Sequence, residues 1–350
     1  MTWNNSLTQL LYIDYPIVQA PMLGVSTPEM AAAASNAGAL GSLAIGGLSP
    51  ETAQQLIRKV KALTNKPFAV NLFAHPIPDQ FSIDEFSQMN TFLEKLCKEN
   101  GVPYTPLTIE NVRFYSYKDQ LDILLEENTG IISFTFGILT DEEIRLLKSK
   151  GTILIATVTS VKEARLVAAT DIDIITIQGI EAGGHRGTFL EHDHLPMVGL
   201  LPLLSQVRDV TNKPLLAAGG IYNKAGIDAI LALGAHGVQI GSLFLASTES
   251  AAIESYKDAI QQSVAEDSIL TQSFSGRWAR GLPNLYTQAV DSSGISIPPY
   301  PVQNSLTAAI RELARKTNNS QFLSLWAGQN ASKAPRRTTS EIIRQLLEGN

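Results

Sequence analysis

The stretch ILIATVTSVKEARLVAATDIDIITIQ, residues 153–178, contains the unit from which most of this chain is built. It begins with a short apolar run, continues with helix-forming residues after a start signal at Thr159 or Ser160, and ends with a second apolar run. Both runs are largely continuous rather than alternating in polarity, which is typical of parallel strands buried on both faces. The stretch therefore predicts a strand, a crossover helix and a second strand parallel to the first.

The same unit recurs along the chain. Similar helix starts occur at Thr27, Ser49, Thr140 and Asn223, each placed after an apolar run. The apolar runs that fit the strand pattern cover residues 17–20, 40–45, 68–72, 131–136, 153–158, 174–178, 214–218 and 237–240. Eight strands alternating with helices predict a closed (β/α)8 barrel, the TIM barrel, rather than an open doubly wound sheet.

The chain is longer than such a barrel requires. It has 350 residues, whereas a typical barrel has roughly 250. Two segments fall outside the repeat: residues 76–128, which contain a helix-like stretch at 83–99, and the proline-rich and helical residues 276–350. We expect a barrel made of residues 1–75 and 129–275, with an insertion after the third strand and a C-terminal helical cap over the barrel mouth.

Composition narrows the class of protein. Apolar residues make up 44% and charged residues 17%, and 27 basic against 33 acidic residues give a net charge of −6, so we expect no nucleic-acid partner. One cysteine, Cys97, excludes an internal disulfide. With no signal peptide and no apolar run of membrane-spanning length, the sequence predicts a cytoplasmic protein. We expect it to be a monomer or a homodimer. The run His192-Asp193-His194 lacks a spaced third ligand, so we expect no metal site.

In a barrel, functional residues lie where strands end and the following loops begin. The loop after the sixth strand reads QGIEAGGHRG, residues 178–187. Gly183 and Gly184 would let the backbone approach a flat ligand, and His185 would lie at the mouth. An imidazole there can remove a proton from a carbon acid or, when protonated, hold an anion. The alternative is a histidine that only completes the loop.

The loops after the last two strands are the usual phosphate site of this fold. They contain Gly219 and Gly220, and the sequence QIGS at residues 239–242. Glycines leave backbone N–H groups uncovered, and a helix beginning at Ser242 would favour an anion at its positive end. These features predict a phosphate-bearing ligand, although the glycines would also suit tight turns.

Two amides end strands that point to the same mouth. Asn71 lies at the end of the third strand and Gln178 at the end of the sixth. A primary amide both donates and accepts, which suits the mixed edge of a flavin ring. The alternative is that each amide binds loop backbone at the strand end.

The C-terminal segment carries further candidates. Tyr300 lies in the proline-rich stretch 298–303, which we expect to fold over the mouth. Arg277 and Arg280 precede it. Either arginine would meet an anionic substrate or phosphate, or would tie down the C-terminal segment.

Taken together, these motifs resemble the nitronate monooxygenases, also known as 2-nitropropane dioxygenases, in particular the bacterial class I enzymes. The matching motifs are QAPM at 19–22, SNAG at 35–38, NLF at 71–73, AGGHRG at 182–187, AGG at 218–220, SGR at 275–277 and LWAG at 325–328. The resemblance implies FMN at the barrel mouth and oxidation of alkyl nitronates, such as propionate 3-nitronate or propyl nitronates, by O2 to a carbonyl compound and nitrite. Whether neutral nitroalkanes are also used stays open.

The resemblance also implies roles for individual residues. His185 matches the family's active-site histidine, which would deprotonate a neutral nitroalkane or position a nitronate. Substrate contacts are expected at Tyr300 and Thr135; the bacterial enzymes commonly carry histidine in the SFHFG motif, whereas this chain has SFTFG at 133–137. The expected FMN contacts are Ala20, Pro21, Met22, Asn71, Gln178, Gly183, Gly184, Gly219, Gly220, Gln239, Ile240, Gly241 and Ser242.

Three other functions are compatible with these residues. An FMN-dependent enoyl-ACP reductase would share the barrel and a similar EAGGH loop, and an NAD(P)H:quinone reductase would share the flavin. A flavin-binding protein without catalysis is an alternative of a different class. The proline-rich segment and the SGR and WAG motifs after the barrel favour the nitronate enzyme.

Overall fold

The computed structural model describes residues 3–78, 80–190 and 195–349. Its strands are β1 Ile17–Gln19, β2 Gly41–Ala44, β3 Phe68–Phe73, β4 Ile131–Thr135, β5 Ile153–Val158, β6 Ile174–Gln178, β7 Gly184–His185, β8 Leu215–Ala218, β9 Gly237–Ile240, β10 Ile269–Thr271 and β11 Ala279–Gly281. Its α-helices are α1 Ser6–Leu11, α2 Pro28–Asn36, α3 Pro50–Leu63, α4 Ile83–Glu99, α5 Tyr117–Glu126, α6 Asp141–Ser149, α7 Val161–Ala168, α8 Leu200–Arg208, α9 Lys224–Ala232, α10 Glu254–Gln262, α11 Leu285–Ser292, α12 Val302–Leu306, α13 Ala308–Lys316 and α14 Thr339–Glu348.

The parallel strands form the predicted barrel. Within the described residues, eight strands pair in the order β1-β9-β8-β6-β5-β4-β3-β2, and a parallel bridge between Val18 and Leu40 joins the two ends. The TIM-barrel prediction is therefore confirmed. The predicted strand ends differ slightly: Ala20 lies beyond β1, and Phe136 lies beyond β4 with a positive φ of 73°.

The helices begin where the sequence predicts. The side chains of Thr27, Ser49, Thr140 and Asn223 each accept a hydrogen bond from a backbone N–H in the first turn of α2, α3, α6 and α9. The sequence left Thr159 and Ser160 as alternative starts for α7, and the structure has Ser160 as the cap. These local signals fix the helices that cover the barrel.

The barrel interior changes from apolar to polar along the strands. At the end where the strands begin, Leu7 and Leu11 of α1 pack with a layer of buried strand residues that includes Ala69, Ile131 and Ile155. Two residues further along the same strands, on the same faces, lie Asn71, Ser133 and Thr157. The polar groups are therefore brought together at the carboxyl ends of the strands, which form the barrel mouth.

A second core lies beyond the mouth. It contains buried residues of α4 and of α10 to α13, and the antiparallel sheet β10-β11-β7 connects this cap to the loop after β6. In contrast to the division expected from the sequence, α5 and α14 contribute Leu121, Leu124, Ile342 and Leu346 to the barrel core. The boundary between barrel and cap remains a prediction, and these contacts place both helices on the barrel side.

Among the described helices, none is long and apolar enough to cross a membrane. The run His192-Asp193-His194 lies outside the described residues.

Candidate active site

His185 lies at the barrel mouth, where β7 pairs with β11. Its Nε2 atom is 2.8 Å from Ser275 Oγ. The imidazole packs edge-on against two aromatic rings, with centroid distances of 5.7 Å to Phe136 and 5.3 Å to Trp326. The ring is thus held between the end of the barrel and the C-terminal segment.

The mouth keeps its two histidines neutral. Desolvation by the surrounding protein, followed by the positive charges of Arg277 and Arg311, lowers the pKa of His185 to about 3. Burial and then the charge of Arg277 lower the pKa of His75 to about 4. Both imidazoles are therefore uncharged at pH 7, and a free ring nitrogen of His185 can accept a proton.

The two strand-end amides hold the protein's own polar groups. Gln178 donates from Nε2 to the His185 carbonyl over 2.9 Å, and its Oε1 accepts from Gly187 N over 2.8 Å. Asn71 Nδ2 donates to Ser133 Oγ over 3.0 Å. Gln178 therefore plays the loop-binding role that the sequence left as an alternative.

Two buried arginines fix the loop that carries His185. Arg186, which is 1% exposed, donates to Gly179 O over 2.6 Å and to Gln178 O over 3.2 Å. Arg280 donates to Ile180 O over 2.8 Å. Of the two roles considered for Arg280, the structure shows the one in which it ties the C-terminal segment to the barrel.

Glu163 of α7 is a site residue that sequence reasoning missed. It is fully buried, and its Oε1 atom accepts from Thr188 Oγ1 and Phe189 N, both over 2.8 Å. Its Oε2 atom accepts from the backbone N–H of Thr159 over 2.6 Å. The spacing from Ser160 to Glu163 is that of a helix capping box, so the only signal in the sequence pointed to a local role. In the structure the carboxylate anchors the loop after β7.

Phe136 organises the aromatic side of the mouth. Its left-handed backbone, φ 73°, is unusual for a bulky residue and marks a position that the surrounding structure enforces. The ring lies 4.7 Å from Phe73 and 6.0 Å from Tyr300, and the Arg277 guanidinium is 4.3 Å from its centroid. Burial raises the pKa of Tyr300 to about 12, so its phenol stays protonated at neutral pH.

The two residues expected to contact substrate occupy different positions. Tyr300 lies over the mouth, with its ring 5.2 Å from that of His75. Thr135 lies under the His185 loop, where its Cγ2 atom is 3.2 Å from the position that a Cβ on Gly187 would take. Tyr300 therefore faces the aromatic wall, whereas Thr135 supports the loop from below.

The ends of β1, β8 and β9 meet at one side of the mouth. A Cβ on Gly241 would lie 3.3 Å from Ala20 Cβ and 3.5 Å from Met22 Sδ. Gly219 and Gly220 have φ values of 129° and 68°, which favour glycine. The predicted cofactor segments, which comprise residues 20–22, 219–220 and 239–242, are thus neighbours.

Backbone donors are exposed at this position. Within the described part of the chain, the N–H groups of Gly219, Gly220, Gly241 and Ser242 have no hydrogen-bond acceptor. The helix expected to begin at Ser242 is a single 3-10 turn, Ser242–Phe244, so its dipole is small. The positive potential at this position therefore comes from the free N–H groups rather than from a helix terminus.

The C-terminal segment closes over these donors. Gly328 N donates to Ser242 Oγ over 2.9 Å, and Asn330 Nδ2 donates to Gly220 O over 2.6 Å. Gly183 permits this approach, because a Cβ there would lie 2.6 Å from the carbonyl carbon of Ala327 and would overlap Gly328 N. No sequence pattern marks Asn330, which does not lie at a strand end.

The fold and the mouth define an enzyme of the (β/α)8-barrel class, with a neutral histidine and free backbone donors at the ends of its strands. The sequence model of the nitronate monooxygenase family matches residues 4–349. The chain belongs to this family of flavin-dependent oxidoreductases, as its motifs predicted.

Individual relatives support the same assignment. A probable nitronate monooxygenase of Staphylococcus haemolyticus is 38% identical over 350 residues, which cover 99% of this chain and 96% of the relative. The structure of nitroalkane oxidase from Streptomyces ansochromogenes superimposes with a TM-score of 0.85 at 33% identity, covering 99% of this chain and 97% of that one. FabK from Thermotoga maritima gives a TM-score of 0.76 at 26% identity, with coverages of 99% and 95%.

Proposed function

We propose that this enzyme uses FMN at the barrel mouth to oxidise alkyl nitronates with O2, yielding a carbonyl compound and nitrite. Membership of the nitronate monooxygenase family and the similarity to a nitroalkane oxidase support this reaction. The observation that carries the proposal is the neutral His185, held among aromatic rings beside the positive charge of Arg277. Such a site suits a small anionic substrate next to a flat cofactor.

The residues present fit FMN. Its phosphate needs donors, and the free N–H groups at the ends of β8 and β9 supply them. Its ring edge needs donors and acceptors, and the amides of Asn71 and Gln178 retain hydrogen-bonding positions that their present partners do not use. FMN would therefore lie with its phosphate near Gly220 and Ser242 and its ring toward Gln178.

The protein's own residues orient the substrate and control its protonation. Bound flavin supplies the redox chemistry. Phe136 and Trp326 exclude water around His185, whose imidazole can accept a proton from a neutral nitroalkane at a ring nitrogen or orient a nitronate. With a pKa of about 3, His185 is a weak base, so the site favours a nitronate, which needs no deprotonation.

The test combines cofactor identification with product analysis. We expect heat-denatured protein to release FMN, identified by chromatography, and the holoenzyme to consume O2 and form nitrite from propyl-2-nitronate. His185→Asn should lose nitroalkane activity far more than nitronate activity, whereas equal losses would contradict a base role. Reduction of the flavin by NADH, without nitrite from any nitronate, would overturn the proposal in favour of a nicotinamide-dependent reductase.

A further inference from the structure

Three arginines near the mouth are used in different ways. Arg186 and Arg280 donate to backbone carbonyls that hold the His185 loop. Arg277 donates from Nη1 to Thr188 O over 3.2 Å, and its Nη2 atom lies 3.4 Å from His75 Nδ1. Among the described residues Arg277 has no carboxylate partner and keeps guanidinium N–H groups without an acceptor. Arg277 is thus a half-buried cation whose donors exceed its partners.

Arg277 has a second donor without a partner beside it. Because a guanidinium only donates, its contact makes His75 Nδ1 the acceptor and leaves the proton on His75 Nε2. That Nε2 atom is buried and has no partner within the described part of the chain. An unpaired buried donor is costly, so the Nε2–H of His75 beside a cation without a counter-charge indicates a place for an anion.

The guanidinium is positioned to reach the reaction site. It lies over the Phe136 ring, and the same ring contacts His185. The other charged or titratable groups acting on this region are Arg311 of α13, the Tyr300 phenol and Glu163. Glu163 is the carboxylate among them, and it accepts from the loop rather than from Arg277. Arg311 donates to Asn304 and Thr307 and adds a second positive charge to the region.

We propose that Arg277 binds the two negatively charged oxygens of the substrate's nitronate group, and the nitrite that leaves, through its unused guanidinium N–H groups. The inference rests on the function proposed above. A guanidinium is planar and presents two parallel donors, which match two oxygens on one nitrogen atom in both species. Arg277 is therefore a substrate-binding residue and selects planar oxyanions.

Direct anion binding tests this role independently of turnover. Nitrite is titrated into the holoenzyme while the flavin spectrum or the heat of binding is recorded. We expect Arg277→Met to weaken nitrite binding about 10- to 100-fold and to raise KM for propyl-2-nitronate by a similar factor, because a charge-assisted hydrogen bond is lost. Arg277→Lys keeps the charge but loses the two parallel guanidinium donors. Its nitrite affinity and its KM should therefore lie between those of the wild type and those of Arg277→Met. The control Arg315→Gln, which removes an exposed charge on α13, should change neither quantity.

The outcomes separate this inference from the proposed function. Nitronate oxidation by the wild type, with unchanged nitrite affinity and KM in Arg277→Met, would overturn the role of Arg277 and leave the function standing. Nitrite binding that depends on Arg277, in an enzyme that forms no nitrite from nitronates, would overturn the function alone. If Arg277→Met does not fold, Arg277→Lys is used to test the proposal. An unchanged nitrite affinity in Arg277→Lys would contradict binding by the two parallel guanidinium donors.

Discussion

Two sides of the barrel mouth differ in how their polar groups are used. The loop side comprises Glu163 of α7 and residues 178–190 without the His185 side chain. Its charged and amide groups bind loop backbone, and one buried donor, Arg186 Nε, has no partner among the described residues. On the open side, formed by His75, His185, Arg277 and Tyr300, donors remain unused and two histidines are kept neutral. Unsatisfied buried groups lower stability and persist where a ligand uses them. We therefore expect changes on the loop side to affect folding and changes on the open side to affect binding.

The largest effect on stability is expected from Glu163→Ala. The substitution leaves the N–H groups of Thr159 and Phe189 without their carboxylate acceptor. The free energy of unfolding, measured in urea, should fall by about 4 kcal/mol, and amide hydrogen exchange at Phe189 should accelerate. Glu142→Ala, an exposed change on α6, serves as the control and should stay within about 0.5 kcal/mol. A similar small change for Glu163→Ala would contradict the anchoring role.

Gly183→Ala should be next in size. The added Cβ meets backbone atoms of residues 327 and 328, which cannot turn away as a flexible side chain would. We expect a loss of about 3 kcal/mol in unfolding free energy and weaker retention of flavin, because segment 326–330 would be displaced from β8 and β9. Gly130→Ala is the matched control, since a Cβ there would have nothing within 4 Å. Equal stabilities of the two variants would show that the approach at Gly183 is not tight.

The loop side and the open side were not equally predictable from the sequence. Apolar strand runs and helix caps are local signals. Eight strand runs in succession are enough to predict the barrel and to place His185 at its mouth. Arg277 and Arg280 are three residues apart, and the sequence could not distinguish their roles. Arg280 contacts Ile180 across roughly 100 residues of chain, and Arg277 contacts His75 across roughly 200. The positive φ of Phe136 and the loop contacts of Glu163 likewise depend on tertiary packing that no local pattern carries.

Acid should destabilise the protein through the open side. His185 has a native pKa of about 3, below the ordinary value of 6.5, so between these values the unfolded chain binds a proton that the native protein does not. Stability should therefore fall as the pH is lowered through 6.5, by about 2 kcal/mol between pH 7 and pH 5 for this histidine. Urea unfolding of the wild type and of His185→Asn at both pH values measures the difference. An identical pH dependence in the two proteins would show that His185 titrates normally.

The smallest effect is expected at Tyr300. Tyr300→Phe keeps the ring contacts with Phe136 and His75 and removes only the hydroxyl. The unfolding free energy should change by less than about 0.5 kcal/mol, as for Tyr12→Phe at an exposed position. Because the phenol stays protonated at neutral pH, it can act on a nitronate only as a hydrogen-bond donor, so a selective rise in KM would place the hydroxyl against the substrate. A loss of more than 1 kcal/mol in the free energy of unfolding would instead show that Tyr300 contributes to folding, as the residues of the loop side do. The open side would then consist of His75, His185 and Arg277.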